Sequence, residues 1–379
     1  MDRLEKYEDW ARACMHVRCG FCRENCPAYS QLQLDSYAAK GKMTMLYHLL
    51  KGNLQLDETV AERVFACTNC GLCDVACGYN QSEAIHEMKT VLYDQGVSIP
   101  EGYQSVSTKT RESGNPYSVD PVEGSEFLQS IPESSLSSAD YTLFLGCTQI
   151  YREKDEVKSL LDILRAAEIS FRTPTEQICC GSPTYRVGDE MQARKQAKRL
   201  TMMLESLESK KILMSCAGCY RMLSHDYESL LGEESKFELV HSMEFLQKLI
   251  QGNALKIRPL NEVLTYHDPC HLGRHSGVYE APRNILASIP GVTLAEMEWN
   301  QKFAKCCGAG AGFRSGRSED AIAVAGNRVR EAERTGASIL VTACPFCLRN
   351  LRDGAESISS SMRIESVESL IADLMEPSI

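Results

Sequence analysis

Tyr266-His267-Asp268-Pro269-Cys270-His271-Leu272-Gly273-Arg274, followed by Cys306-Cys307-Gly308 and by Cys344-Pro345-Phe346-Cys347, is the stretch that decides how this chain folds. A looser copy stands upstream at Cys147, Cys179-Cys180-Gly181 and Cys216-Ala217-Gly218-Cys219. Structural zinc takes four ligands, so a fifth thiol in each set would be idle. An iron–sulfur cluster with more than one kind of iron uses all five. The competing reading is a cluster of buried apolar cysteines.

The copies are a true repeat. Cys147 to Cys270 is an offset of 123, Cys179 to Cys306 one of 127, and Cys216 to Cys344 one of 128. Away from the cysteines, Glu244 and Leu246 parallel Glu368 and Leu370 at an offset of 124. Apolar runs at 141–145, 211–214, 263–266 and 338–342 alternate with helical periodicity near 153–167, 189–208 and 318–335, which predicts parallel sheets flanked by helices. Each cysteine group follows a strand end, where open α/β sheets place their ligands. Two such domains are expected to face each other about a pseudo-twofold axis.

The N-terminal region carries a different array. Cys67, Cys70, Cys73 and Cys77 have the bacterial ferredoxin spacing of a [4Fe–4S] cube, in which the fourth cysteine crosses to a neighbouring cluster. Carried over, that rule puts Cys26, Cys67, Cys70 and Cys73 on one cube and Cys14, Cys19, Cys22 and Cys77 on the other. Two departures stand out. Two extra residues fall within Met15-His16-Val17-Arg18, leaving His16 as a conceivable substitute for Cys14, and Gly78 replaces the usual proline after Cys77. Zinc is the alternative for both arrays, although four thiols in eleven residues suit a cube better. Helical periodicity is expected at 2–13, 42–50, 58–65 and 82–93. Residues 97–138, with four prolines and the run Ser134-Ser135-Leu136-Ser137-Ser138, read as a surface linker.

Composition narrows the class. All 18 cysteines fall into these arrays, eight before residue 80 and five in each later set, so none is left for a disulfide framework. Such thiolates persist best in a reducing cytoplasm. A net charge of −10 and a pI near 5.4 argue against a nucleic-acid partner. No apolar run reaches the roughly 18 residues of a membrane span, and no apolar stretch follows Met1-Asp2-Arg3-Leu4-Glu5-Lys6 as in a signal peptide.

The five-thiol sets resemble the CCG domain of the heterodisulfide reductase family. The resemblance implies a non-cubane four-iron cluster in each copy, held by Cys147, Cys179, Cys180, Cys216 and Cys219 in the first and by Cys270, Cys306, Cys307, Cys344 and Cys347 in the second. The N-terminal arrays resemble the all-helical ferredoxin module of succinate dehydrogenase and heterodisulfide reductase. The expected architecture is thus multi-domain α + α/β: a helical two-cube ferredoxin domain (1–96), the linker (97–138), a first CCG domain (139–258) and a second (259–379). This order is that of the family's D type, equivalent to the C and B types joined. It implies a redox partner subunit, a b-type cytochrome in the membrane or a flavoprotein, that holds the chain at the inner face of the membrane. It also implies a small-molecule disulfide substrate such as the coenzyme M–coenzyme B heterodisulfide.

Disulfide cleavage needs two electrons and a place for each sulfur, which two facing clusters supply. Completeness of both sets favours such a reductase. The alternatives are an electron-transfer subunit linking a flavoprotein dehydrogenase (of glycolate, lactate, glycerol-3-phosphate or the acyl-CoA/electron-transfer flavoprotein type) to a quinone or membrane carrier, and a cluster-bearing assembly protein. The second set, with His271, is the expected catalytic half. His267, His271 and His275 either donate protons or orient ligands. Arg186, Arg274 and Arg314 either clamp an anion or are solvated charges. Gly308, Gly310 and Gly312 lack nucleotide-loop spacing and suggest close backbone packing at the cluster.

Overall fold

The computed structural model describes residues 1–207 and 210–376. Its first part is all helical. Glu58–Phe65 shows why: the Asp57 side chain caps it by accepting from the Val60 N–H (2.8 Å), and Val60, Ala61, Val64 and Phe65 bury one stripe. Ala39–Leu50 and Gln81–Asp94 pack around the same core. The N-terminal helix expected over 2–13 is two helices, Asp2–Glu5 and Glu8–His16.

Two parallel four-stranded sheets follow. β1 (Tyr141–Leu143), β2 (Phe171–Arg172), β3 (Lys211–Met214) and β4 (Glu238–His241) lie in the order β2-β1-β3-β4. β5 (Val263–His267), β6 (Thr293–Leu294), β7 (Ile339–Thr342) and β8 (Arg363–Ser366) lie in the order β6-β5-β7-β8. The topologies are identical. In each, the strand order reverses between the first and third strands, and the loops leaving those two strands carry Cys147 and Cys216, or Cys270 and Cys344.

The two sheets' helices meet with the reciprocity of a twofold axis. Lys154–Ala166 of the first domain packs on Val367–Leu374 of the second, while Ser242–Gln251 packs on Glu280–Ser288. The helix leading into the second strand of each domain thus meets the last helix of the other. Within this seam the Ser242 hydroxyl donates to the buried Glu368 carboxylate (2.7 Å).

Residues 97–138, expected as a linker over the surface, are built into the structure. They carry helices Glu101–Ser113 and Pro121–Gln129, with Tyr103 fully buried and edge-on to Phe65 (5.5 Å, 69°). The buried positions, Tyr103, Val106, Ser107 and Thr110, have helical spacing. Two of the four are polar, which hid the period. The Ser107 hydroxyl donates to the buried Asp189 carboxylate, tying this helix to the first CCG domain.

Candidate metal centre

The eighteen cysteines are all free thiols, and they gather into four groups. Cys26, Cys67, Cys70 and Cys73 line one pocket with Lys42, Leu72 and Ile85, and Cys22 of the neighbouring group reaches its edge. Cys14 lies within electrostatic reach of Cys19, Cys22 and Cys77. Burial pushes the Cys14 and Cys26 thiols up to about 11 and Cys73 well above its usual range. Such thiols ionise readily only beside a cation, as metal ligands do. His16, at the exposed end of Glu8–His16, takes no place beside Cys14, which instead accepts from the Gln81 amide (3.8 Å). Gly78 ends the helix Leu72–Cys77 with φ +79°, a conformation closed to the proline common there.

The pocket group abuts the second CCG domain. Cys70 and Cys306 lie within hydrogen-bond range, which draws the Cys70 thiol down to about 6. Arg274 spans the seam, donating from Nε to the Cys70 carbonyl (2.8 Å) and from Nη1 to the Ala304 carbonyl. Its role is a latch between domains; it is not a solvated charge. Buried Lys89 answers from the other side, donating to the Cys67 (2.7 Å) and Ala311 (3.4 Å) carbonyls. The glycine run fits the same seam: a Cβ on Gly310 would lie 2.6 Å from the Thr68 carbonyl oxygen. Valine at Gly310 is therefore expected to destabilise the protein by about 1–3 kcal/mol, as overpacked sites do. A lowered midpoint in anaerobic denaturant titration checks this, and an unchanged midpoint contradicts it.

Nine of the ten thiols of the two five-cysteine sets, all but Cys179, line one cavity of about 340 Å³. Thiols of both sets line it, together with His271 and Phe346 of the second domain. Sulfur sits against sulfur throughout. Cys307 Sγ is 3.3 Å from Cys347 Sγ, and hydrogen bonds from Cys306 and Cys347 hold the Cys307 thiol well below its usual range. Neighbours Cys147 and Cys180 do the same for Cys179. Cys216 and Cys344 are within hydrogen-bond range across the two domains. A Cβ on Gly146 would lie 2.9 Å from Cys219 Sγ, so this glycine leaves the first cradle open.

The histidines divide by direction. His267 Nδ1 accepts from Arg328 Nε (3.2 Å), and Arg328 pairs with Glu331 (2.7 Å). That puts the ring proton on Nε2, an atom without a hydrogen-bond partner among the described residues, and the ring groups with the Cys307 and Cys347 sulfurs. His271 faces the cavity, stacked edge-on to His275 (5.5 Å, 83°). Burial, then the charges of Arg221 and Arg186, hold His271 well below its usual range, leaving a neutral imidazole with one N–H. His275 turns to the ferredoxin side, its Nε2 3.3 Å from the Asn69 carbonyl.

Arg186 and Arg314 line the cavity, but each has its own carboxylate: Asp226 for Arg186 and Asp353 for Arg314. The pairs are repeat equivalents, six and seven residues past Cys180 and Cys307. Sequence reasoning passed over four other cavity residues, Lys109, Tyr117, Arg152 and Arg349. Arg349 was within reach, because it follows Cys347 by two residues as Arg221 follows Cys219.

Comparison with known proteins agrees with this geometry. Residues 141–224 and 264–352 each match the cysteine-rich CCG domain, and residues 10–80 match a 4Fe-4S dicluster domain. The fold and site therefore define an iron–sulfur oxidoreductase with tandem CCG domains. The chain is 36% identical to the D-type component of the dihydromethanophenazine:CoB--CoM heterodisulfide reductase of Methanosarcina barkeri, across 95% of its own length and 93% of that protein's. It belongs to this D-type heterodisulfide reductase family. It is also 30% identical to the EtfAB:quinone oxidoreductase of Syntrophomonas wolfei, across 95% of this chain and 58% of that one. A hypothetical protein from Helicobacter pylori shares the fold, with a TM-score of 0.59 at 10% identity over 99% of this chain and 76% of its own. No helix among the described residues is long and apolar enough to cross a membrane.

Proposed function

We propose that this chain reduces a small-molecule disulfide in the cavity between its two CCG domains, with electrons delivered through the ferredoxin domain. One observation carries the reading: nine of the ten thiols of the two CCG sets, all but Cys179, line the same cavity. The reaction is R–S–S–R′ + 2 e⁻ + 2 H⁺ → RSH + R′SH. In this reading Cys14, Cys19, Cys22 and Cys77 hold one [4Fe–4S] cube, and Cys26, Cys67, Cys70 and Cys73 hold the other. Cys270, Cys306, Cys307, Cys344 and Cys347 hold one CCG-type cluster, and Cys147, Cys179, Cys180, Cys216 and Cys219 its counterpart. When bound, these clusters supply single electrons and iron sites able to take up sulfur. The protein's own part is to set their order and shape the cavity. Contact of Cys70 with Cys306 supports delivery to the second CCG set, and contact of Cys216 with Cys344 supports passage to the first. His271 offers its N–H at the cavity wall.

A redox partner subunit, a b-type membrane cytochrome or a flavoprotein, feeds the ferredoxin domain at the cytoplasmic side. The domain division proposed is 1–96, 97–138, 139–258 and 259–379, the second segment being a structured connector. Similarity to the EtfAB:quinone oxidoreductase keeps a second reading, electron transfer between a flavoprotein and a quinone. The test is reduction of coenzyme M–coenzyme B disulfide by reduced viologen under anaerobic conditions. Turnover is expected; a fully loaded protein without turnover moves the assignment to electron transfer. Metal analysis is expected to give roughly sixteen irons per chain and no zinc. About eight irons with stoichiometric zinc would remove the CCG clusters from the scheme.

A further inference from the structure

Among the described residues lining the cavity, every fixed charge is positive: Lys109, Arg152, Arg186, Arg314 and Arg349. Two of these are already committed to carboxylates, Arg186 to Asp226 and Arg314 to Asp353. Arg152 and Arg349 differ. Neither has a carboxylate within 4.0 Å among the described residues, and both lie over the Tyr117 ring, with guanidinium carbons 4.9 and 5.8 Å from its centroid.

Tyr117 itself is held firmly. Its hydroxyl is hydrogen-bonded to Thr148 Oγ1 (2.8 Å), one residue past Cys147. The turn bearing it is pinned by fully buried Asn115, whose amide donates to the Ser113 (2.8 Å) and Val119 (2.7 Å) carbonyls and whose carbonyl accepts from the Tyr117 N–H (3.0 Å). Three separate segments thus converge: the connector gives the ring, the first CCG domain gives Arg152 and the second gives Arg349. The arrangement is one-sided. Arg221, the repeat equivalent of Arg349, is largely buried, with Asp226 at 3.9 Å and Cys270 in electrostatic reach.

A guanidinium over an aromatic face keeps its in-plane N–H groups free, and these match the oxygens of a phosphate, sulfonate or carboxylate. We infer that Arg152 and Arg349, positioned by Tyr117, form an anion clamp that receives the charged arm of the disulfide and orients its sulfurs toward the thiol sets. This rests on the disulfide-reductase reading for its substrate.

The experiment compares three disulfides with reduced methyl viologen as electron source: bis(2-sulfoethyl) disulfide, neutral bis(2-hydroxyethyl) disulfide and cationic cystamine. A charge-assisted hydrogen bond contributes about 1.5–3 kcal/mol, so the anionic disulfide is expected to lead the neutral one by about tenfold or more in kcat/KM. Arg349→Gln and Tyr117→Leu are expected to erase that lead through KM, whereas Tyr117→Phe, which keeps the ring, retains it. A wild-type protein indifferent to charge, or an Arg349→Gln variant that loses all three substrates in proportion, overturns the clamp. Should no disulfide turn over, the reductase reading fails separately, and the clamp is decided by calorimetry. Binding of bis(2-sulfoethyl) disulfide about tenfold tighter than the hydroxyethyl compound, lost in Arg349→Gln, supports the clamp; equal binding of the two refutes it.

Discussion

Serine in place of Cys307 is expected to abolish disulfide turnover while sparing the ferredoxin domain. Cys307 lies between Cys306 and Cys347, with the His267 ring nearby, so its sulfur is the centre of the second set. Losing an outer partner of a metal site costs about 10–100-fold, and losing a central ligand is expected to exceed that. Electron paramagnetic resonance after one-electron oxidation in the presence of coenzyme M should lose its thiol-dependent signal, while the signals of the two reduced cubes persist. Retained turnover in a variant that has lost the signal would detach the second set from the chemistry.

Cys70→Ser is expected to fall almost as far, by a different route. Cys70 touches Cys306, and the Arg274 latch is anchored on its carbonyl. The seam would stay closed, because the latch uses backbone and not the sulfur. Turnover driven by the physiological donor should drop more than about 100-fold, beyond the range of an outer-partner loss, while the CCG signals remain. If the CCG signals vanish and donor-driven reduction survives, the electron order is reversed.

Much of this was legible in the sequence because cysteine spacing and strand periodicity are local signals. β3 was read at its observed bounds, and β1, β5 and β7 within two residues at either end. The strands missed as such are β2 and β6, two residues each, and β4 and β8, which begin on the charged residues Glu238 and Arg363 at partly exposed sheet edges. Two residues carry no period to read. The connector failed differently: Ser107 and Thr110 are buried for their hydroxyls, so hydrophobicity could not betray them. Within the site, the thiol grouping follows from spacing, but the division among the cationic residues does not. Arg186 and Arg314 read as either anion clamps or solvated charges, and only three-dimensional proximity reveals Asp226 and Asp353 beside them. Tyr117 had no signal at all; its importance comes from two arginines lying 35 and 232 positions further along the chain.

The seam at Cys70 and Cys306 has a consequence for recombination. Gly310 against the Thr68 carbonyl, Arg274 on the Cys70 carbonyl and His275 over Gly71 make one fitted surface out of loops from both ends of the chain. A ferredoxin domain grafted from another protein would bring its own loop in place of 67–71, and a Cβ in place of Gly71 would meet the His275 ring at 2.8 Å. The inheritable unit is therefore not either domain alone but the pair of facing loops. Lineages that carry the halves on separate chains would have to change both together.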